Sequence, residues 1–201
     1  MEKQALHYFF LLLDLLGIDE SKRLSSKIHK HIVADKIFVC DHPFIFSENP
    51  GHDMENIPKW IFEWLKNTFL KELNKKNKNE FPRKFFIDRS DSNQINKNIN
   101  ISYKGGHRDI SNKEEVETFL KKKGFTPIIL SNLDFIDQVK LFNNAESIVG
   151  LHGAGFANLI FCKKNIKVLE LRSDTAGNAC GNVAIQNDLK FDHLSIPAKI
   201  N

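Results

Sequence analysis

The fold of this chain is decided by the stretch Ser147-Ile-Val-Gly-Leu-His-Gly-Ala-Gly-Phe-Ala-Asn-Leu-Ile-Phe161. Its first apolar run, Ile148 to Leu151, predicts a strand that is buried on both faces. Small residues follow His152, and an apolar helical segment with a single amide comes next. Strand, tight turn and helix in this order bring backbone N–H groups within reach of an anion, because a helix N-terminus carries unpaired donors and a partial positive charge. We therefore expect the ligand site here.

Two alternatives stay open within this stretch. Gly153 and Gly155 have no Cβ, which would let a phosphate reach the backbone, but tight packing of a strand on a helix also requires glycine. His152 ends its predicted strand at the carboxyl edge of a sheet, where open α/β sheets bind ligands. A core histidine that bonds a carbonyl group fits the same sequence equally well.

Composition restricts the class of protein. The chain has 201 residues, of which 41% are hydrophobic and 17 are Phe, so it can bury a sizeable core. Its formal charge of +4 suits a small anionic ligand or a membrane surface, and we expect no nucleic-acid partner. Three cysteines without a CxxC pattern predict reduced thiols in a cytosolic protein, and no zinc site.

The N-terminal part differs in character from the rest. The apolar segment Leu6 to Leu16 is too short to span a bilayer and has no basic leader or cleavage site. It predicts a helix ended by Gly17, which either further sequence upstream, a partner chain or a membrane surface would cover. A run rich in Lys and Asn, Lys71 to Glu80, predicts a boundary between domains at residues 1–75 and 81–201.

Strands and helices alternate along the chain. In the first region we predict a strand at Ile37 to Cys40 and a helix from Pro58 that buries Trp60 and Trp64. Further strands are predicted at Phe85–Ile87, Pro127–Leu130, Ile148–Leu151, Lys167–Leu171 and Phe191–Ile196, with helices between them. This alternation predicts an α/β fold with a Rossmann-like, doubly wound parallel sheet, preceded by an incomplete α/β region.

Several motifs occur in a distinctive order. They are Phe85-Phe-Ile-Asp-Arg89, Arg108-Asp-Ile-Ser-Asn-Lys-Glu-Glu-Val116, Gly124-Phe125, Asp137-Gln138, the segment 145–161, and Val168-Leu-Glu-Leu171. In this order they resemble glycosyltransferase family 61, over Lys84 to Pro197 most clearly and over Leu6 to Leu73 more weakly. The resemblance implies a GT-B-type enzyme whose donor domain is residues 81–201 and whose acceptor side includes residues 1–75.

The resemblance also implies an activity. We expect inverting, metal-independent transfer from a nucleotide sugar, such as a UDP-sugar, to a glycan or lipid-linked acceptor in capsular or other surface polysaccharide synthesis. No cofactor is expected, and the location would be the cytoplasm, at or near the inner membrane. The implied substrate-binding residues are Arg89, Arg108, Asn112, His152, Gly153, Ala154, Gly155, Asn158 and Glu170, and His152 is also a candidate for catalysis. Lys113 departs from the pattern, since the family often has an acidic residue there.

The chemistry of sugar transfer agrees with these residues. A leaving nucleoside diphosphate gains negative charge, which the protein must balance when no metal is bound. Arg89 and the N–H groups of residues 153–155 could do so, although Arg89 could instead be a surface residue paired with Asp88 or Asp91. Glu170 could accept hydrogen bonds from ribose hydroxyls or serve as a structural cap.

Two other functions are alternatives to sugar transfer. One is a nucleotide-sugar-binding module or inactive relative that lacks a complete acceptor domain. The other is a dinucleotide oxidoreductase, which is disfavoured because no GxGxxG follows a predicted strand.

Overall fold

The computed structural model describes residues 10–39, 57–71, 73, 80–91 and 110–197. The chain forms two compact units, Met1–Ile45 and Phe46–Asn201. In the first unit, residues 10–15 are helical and a 3-10 turn follows at Glu20–Lys22. The guanidinium of Arg23 joins these two parts: it pairs with Asp14 and lies 5.4 Å from the centre of the Phe10 ring.

The expected N-terminal helix is confirmed for residues 10–15, and Gly17 follows it with a left-handed φ of 74°. Residues 6–9 lie outside the described part of the chain. The predicted strand at Ile37 to Cys40 is wrong for Ile37 to Val39, which are 74–86% exposed and pair with no strand. A strand requires a neighbour for its backbone groups, and residues 10–39 contain none. Across the described residues, no helix has both the length and the hydropathy needed to cross a membrane.

The second unit is an α/β domain built on a parallel sheet. Its strands are β1 (Lys84–Ile87), β2 (Thr126–Ile128), β3 (Ser147–Leu151), β4 (Lys167–Ser173) and β5 (Lys190–Ile196), in the spatial order β2-β1-β3-β4-β5. Its helices are α1 (Lys59–Leu70), α2 (Lys113–Lys122), α3 (Phe135–Asn144) and α4 (Ala179–Gln186), with 3-10 helices at Leu130–Asn132 and Ala154–Phe161. The predicted α/β class and the parallel sheet are confirmed, and the strand order is compatible with a Rossmann-like fold.

Helices cover both faces of this sheet. Successive strand residues point to opposite faces, so Phe85 and Phe86 of β1 contact different helices. Phe86 packs with Leu120 of α2, whereas the Phe85 ring meets Phe142 of α3 edge to face, with ring centres 5.3 Å apart. The sheet is therefore wound on both sides, with α2 on one face and α3 on the other.

Helix α1 packs in the second unit without burying its two tryptophans. Phe62 and Phe69 are buried, and Phe69 contacts the ring of Phe135 at 4.9 Å between centres. Trp60 and Trp64, predicted to lie in the core, are 57% and 48% exposed. Each lies two residues from Phe62, about 200° around the helix, and so faces away from the core.

The contacts of α1 also bear on the division into domains. Lys66 of α1 donates a hydrogen bond of 2.8 Å to the side chain of Asn187, which in turn donates to the carbonyl oxygens of Leu159, Ile160 and Cys162. Helix α1 thus belongs with the sheet, although the sequence analysis counted it with residues 1–75. The assignment of residues 1–75 and 81–201 to acceptor and donor sides stays a prediction.

Candidate functional site

The candidate site lies at the carboxyl ends of β1 and β3. These strands are neighbours, but β1 leads on to β2 at one side and β3 leads on to β4 at the other. Such a reversal of strand order opens a crevice in which α/β proteins bind ligands. Arg89 follows β1 and His152 follows β3, and Arg89 Nη1 donates a hydrogen bond of 3.3 Å to the carbonyl oxygen of His152. Two of the predicted binding segments therefore meet at this crevice.

The turn after β3 leads into a helix, as predicted. Gly153 precedes the 3-10 helix Ala154–Phe161 and has φ 157° and ψ −178°, a conformation that residues other than glycine rarely adopt. The helix begins at Ala154, whose side chain is exposed. The amide groups at its start are the donors that the sequence analysis expected at the end of a buried strand.

Gly155 lies where the chain is tightly packed. A Cβ at Gly155 would lie 3.0 Å from Leu130 Cδ1 and 3.6 Å from Ile87. A Cβ at Gly150, in the centre of β3, would lie 3.1 Å from the Phe156 ring and 3.2 Å from Ile87 Cδ1. Both glycines thus allow the 3-10 helix to pack against the sheet, which supports the packing alternative for Gly155.

Asn158 has a partner within the protein. Its Nδ2 donates a 3.0 Å hydrogen bond to Gln138 Oε1, and Gln138 Nε2 donates to the carbonyl oxygens of Leu130 and Leu133. This chain of amides attaches the 3-10 helix to α3. Asn158 therefore holds the loop in place, and Gln138 is a supporting residue that the sequence analysis did not identify as such.

Glu170 lies in the interior beside His152. The carboxylate is 0% exposed, and its Oε1 lies 2.6 Å from His152 Nδ1. The expectation that Glu170 meets a ribose hydroxyl does not fit this burial, because a ligand would first have to displace protein atoms. His152 combines the two roles that the sequence left open: its side chain is 14% exposed at the crevice, and it has an internal partner.

Two further residues complete this cluster, and neither was predicted. Arg172 Nη1 lies 3.6 Å from Glu170 Oε2 and 3.2 Å from Asn178 Oδ1. Cys180 Sγ lies 3.5 Å from His152 Nδ1. Side chains alternate between the two faces along a strand, so Glu170 and Arg172 of β4 share a face. Arg172 could have been found in this way if the predicted strand had not ended at Leu171. A lone cysteine far along the chain carries no such signal.

The family model described as Glycosyltransferase 61 matches residues 4–169 of the chain. The chain belongs to glycosyltransferase family 61. The resemblance is thereby confirmed, and the matched range contains β1, Arg89, β3 and the loop from His152 to Asn158. Among curated proteins, none matches the chain.

The polar residues after β1 form the other wall of the site in this glycosyltransferase. Lys113 Nζ lies 3.2 Å from Asp88 Oδ1 and 2.7 Å from Ser90 Oγ. Burial by itself raises the pKa of Asp88, but hydrogen bonds from Ser90 and Lys113 outweigh it, so the pKa lies below its ordinary value. The alternative partners for Arg89 are occupied: Asp88 binds Lys113, and Asp91 accepts a hydrogen bond from Ser131. Lys113, which departs from the family pattern, thus binds Asp88 and Ser90 within this chain.

The remaining predicted residues are near this wall or outside the described chain. Asn112 is the residue before α2 and donates to Glu115 at 3.1 Å, so it lies next to Lys113 at the start of the helix. Beneath Arg89 and Lys113, an apolar cleft is lined by Phe86 and Val149 of the sheet and Leu120 of α2. Arg108 lies outside the described residues.

One cluster in the described part of this glycosyltransferase has the residue types of a metal site. The ligand atoms of His152, Glu170 and Cys180 lie within 4.8 Å of one another. Cys180 and Cys162 are free thiols, and Cys40 lies outside the described residues. The distance of 2.6 Å between His152 Nδ1 and Glu170 Oε1 is that of a hydrogen bond. The arrangement is therefore that of a buried hydrogen-bonded pair, and metal-independent action stays a prediction.

Proposed function

We propose that this glycosyltransferase uses a nucleotide-sugar donor whose diphosphate binds in the crevice between β1 and β3. One observation carries the proposal: Arg89 and the loop of residues 152–155 meet there, with Arg89 Nη1 3.3 Å from the His152 carbonyl oxygen. A guanidinium can donate two parallel hydrogen bonds to a phosphate, and the helix N-terminus at Ala154 adds backbone donors. Together these groups suit a ligand that carries several negative charges.

The same groups suit an inverting transfer without a metal ion. An acceptor oxygen would bond to the anomeric carbon as the bond from that carbon to the diphosphate oxygen breaks, so negative charge would develop on the leaving diphosphate. Donors that are already oriented toward that charge lower the barrier most effectively. His152 is the candidate either for a contact to the donor or for accepting the proton of the acceptor hydroxyl.

We further infer the finer assignments from family membership and the α/β fold. They are a GT-B-type enzyme with its donor side in residues 81–201, and a UDP-sugar as donor. The acceptor would be a glycan or lipid-linked molecule in surface polysaccharide synthesis. The location would be the cytoplasm, with contact to the inner membrane or to a partner chain through Leu6 to Leu16.

Titration of the whole chain with nucleoside diphosphates and nucleosides tests the donor site. For UDP, we expect Arg89→Lys to weaken binding at least tenfold, because lysine cannot make the bidentate contact. Binding of uridine should hardly change. Arg83→Lys is the matched control, since Arg83 is exposed and lies at the amino end of β1, away from the crevice. Equal losses for UDP and uridine, or a wild-type chain that binds no nucleoside diphosphate, would contradict the proposal.

A chelator tests metal independence. We expect UDP affinity in EDTA to stay within about twofold of its value without EDTA, because Arg89 and the loop amides supply the positive charge. A loss of tenfold, about 1.4 kcal/mol, would show that a cation takes part in binding.

Incubation with a panel of nucleotide sugars distinguishes transfer from simple binding. Release of the nucleoside diphosphate, with a labelled sugar on water or on an added glycan, is the expected result. Binding of the donor without any release would instead support the alternative of a nucleotide-sugar-binding relative.

A further inference from the structure

Glu170 is a charged residue in a position that packing alone would fill with an apolar side chain. It is 0% exposed and points to the same face of β4 as Val168, which is a core residue. Burying an ionised carboxylate is strongly unfavourable unless charged or hydrogen-bonding groups surround it. In this chain Oε1 lies 2.6 Å from His152 Nδ1, and Oε2 lies 3.6 Å from Arg172 Nη1.

The two partners of Glu170 act on different loops. His152 begins the loop after β3, which also carries the amides at the start of the 3-10 helix. Arg172 organises the loop after β4, since its Nη1 lies 3.4 Å from the Gly177 carbonyl oxygen and 3.2 Å from Asn178 Oδ1, just before α4. One carboxylate therefore connects two neighbouring loops at the carboxyl edge of the sheet.

We propose that Glu170 is a positioning residue, which holds His152 in one orientation with the proton on Nδ1. With Glu170 ionised beside the guanidinium of Arg172, its carboxylate only accepts hydrogen bonds, so the imidazole nitrogen 2.6 Å away carries the hydrogen. The position of that proton decides which ring nitrogen accepts when the ring is neutral. Glu170 is buried and affects a ligand only through His152 and the loop. The effect on donor binding rests on the proposed function, whereas the position of the proton does not.

Zinc held by His152, Glu170 and Cys180 would need a different geometry. Nitrogen and oxygen ligands lie about 2.1 Å from zinc, so two of them in a tetrahedral site are about 3.4 Å apart. The 2.6 Å between His152 Nδ1 and Glu170 Oε1 is much shorter. The guanidinium of Arg172 also supplies positive charge next to the same carboxylate. Both observations favour a hydrogen-bonded pair.

Nitrogen-15 NMR of the histidine rings in the full chain tests the proposal directly. The His152 signals are assigned by their loss in His152→Gln. We expect a protonated Nδ1 in the wild type, and a shift of that resonance in Glu170→Gln. Glu146→Gln is the matched control: it is the same substitution just before β3, in an exposed pair with Arg83, and should leave the resonance unchanged. UDP binding should be at least tenfold weaker in Glu170→Gln and unchanged in Glu146→Gln.

Three outcomes have a definite meaning. A neutral wild-type His152 with a bare Nδ1 overturns the proposal, even if Glu170→Gln does not fold. Stoichiometric binding of Zn²⁺ that disappears in Cys180→Ser also overturns it, because Nδ1 would then be a metal ligand. A protonated Nδ1 in a wild-type chain that binds no nucleotide supports the positioning role of Glu170 and contradicts the proposed donor site.

Discussion

The amino ends and the carboxyl ends of the strands, called here the amino edge and the carboxyl edge of the sheet, carry similar side chains in different surroundings. At the amino edge, Arg83 precedes β1 and Glu146 precedes β3, and the two form a 2.7 Å pair that is 66% and 46% exposed. At the carboxyl edge, His152 follows β3 and pairs with Glu170 at 2.6 Å, with 14% and 0% of these side chains exposed. The first pair stays in water, whereas the second is removed from it.

The difference follows from the common direction of the strands. Strands β1 to β4 are each followed along the chain by a helix, so unpaired helix N–H groups and connecting loops gather at that edge. An exposed pair contributes little to stability, and a buried pair stabilises little overall once its desolvation is counted. Stability alone therefore does not explain the buried charged cluster next to the crevice, and the positioning role proposed for Glu170 supplies another reason for it. The amino edge supplies internal controls for each test of this idea.

The largest effect is expected from removing the partner of a buried carboxylate. His152→Ala leaves Glu170 Oε1 without its 2.6 Å contact, and we expect the free energy of unfolding to fall by about 3 kcal/mol. Arg83→Ala removes the partner of Glu146 at the exposed edge and should change it by less than about 1 kcal/mol. Denaturant unfolding of both variants is the measurement. Equal losses of unfolding free energy in the two variants would mean that the buried pair and the exposed pair contribute equally to stability.

The same His152→Ala sample separates the two roles of this histidine. If His152 contacts the donor, the binding free energy of UDP per folded molecule should weaken by about 1.5–3 kcal/mol, the range for a hydrogen bond to a charged group. A lower melting temperature with unchanged UDP affinity would instead assign His152 to the core. Calorimetric titration below the melting range provides the affinity.

The next largest effect concerns the packing of the loop on the sheet. Gly150→Val places methyl groups where even a Cβ would lie 3.1 Å from the Phe156 ring, so we expect a loss of about 2 kcal/mol in unfolding free energy. Gly177→Ala is the control, because a Cβ there meets nothing within 4 Å and should alter stability by less than about 0.5 kcal/mol. Similar melting curves for the two variants would show that the carboxyl edge is loosely packed.

A smaller effect with a pH dependence is expected at Asp88. Its folded pKa lies below the ordinary value of 3.8, because hydrogen bonds from Ser90 and Lys113 outweigh the opposing effect of burial. The ionised form thus stabilises the fold above the ordinary pKa, and this stabilisation is lost as the pH falls through the lower folded pKa. Asp88→Asn should destabilise the chain by about 1 kcal/mol at neutral pH.

The difference between wild type and Asp88→Asn should shrink as the solution is acidified to about pH 3. Thermal unfolding across this pH range measures it, with the exposed Asp192→Asn as control. A difference that is constant with pH would mean that the charge of Asp88 does not stabilise the fold.

The smallest effect is expected at an exposed network. Asp188 has a lowered pKa because of the hydrogen bond and charge of Lys164, 2.8 Å away, with a further contribution from Lys59 at 3.5 Å. Asp188→Asn keeps a residue that tolerates the left-handed φ of 56°, so only the exposed ion pairs are lost. We expect a change below about 0.5 kcal/mol in chemical denaturation. A loss above about 1 kcal/mol would show that exposed pairs matter more here than at Arg83 and Glu146.

The local sequence pattern predicted secondary structure correctly where residues of one type recur along a single strand or helix. The strands of the second unit, including β3 and β4, were found because buried strands are short apolar runs between turn signals. The pattern was insufficient for α1, where aromatic residues occur on both faces. The sequence could not show that Phe62 would be buried while Trp60 and Trp64 stay exposed, because that choice depends on tertiary contacts of α1, such as those of Phe69 with Phe135 and Phe161.

By itself, the sequence determined the family and the α/β class, and it predicted a candidate site after β1 and β3. Each of these depends on residues that are close together along the chain. Only the tertiary structure decided what the site residues contact. His152 meets Glu170 and Cys180, which are 18 and 28 residues away, because β3 pairs with β4 and α4 returns beside them. Partners that folding brings together have no characteristic spacing in the sequence. The sequence therefore left Glu170 between a ribose contact and a structural cap, whereas the structure places it against His152.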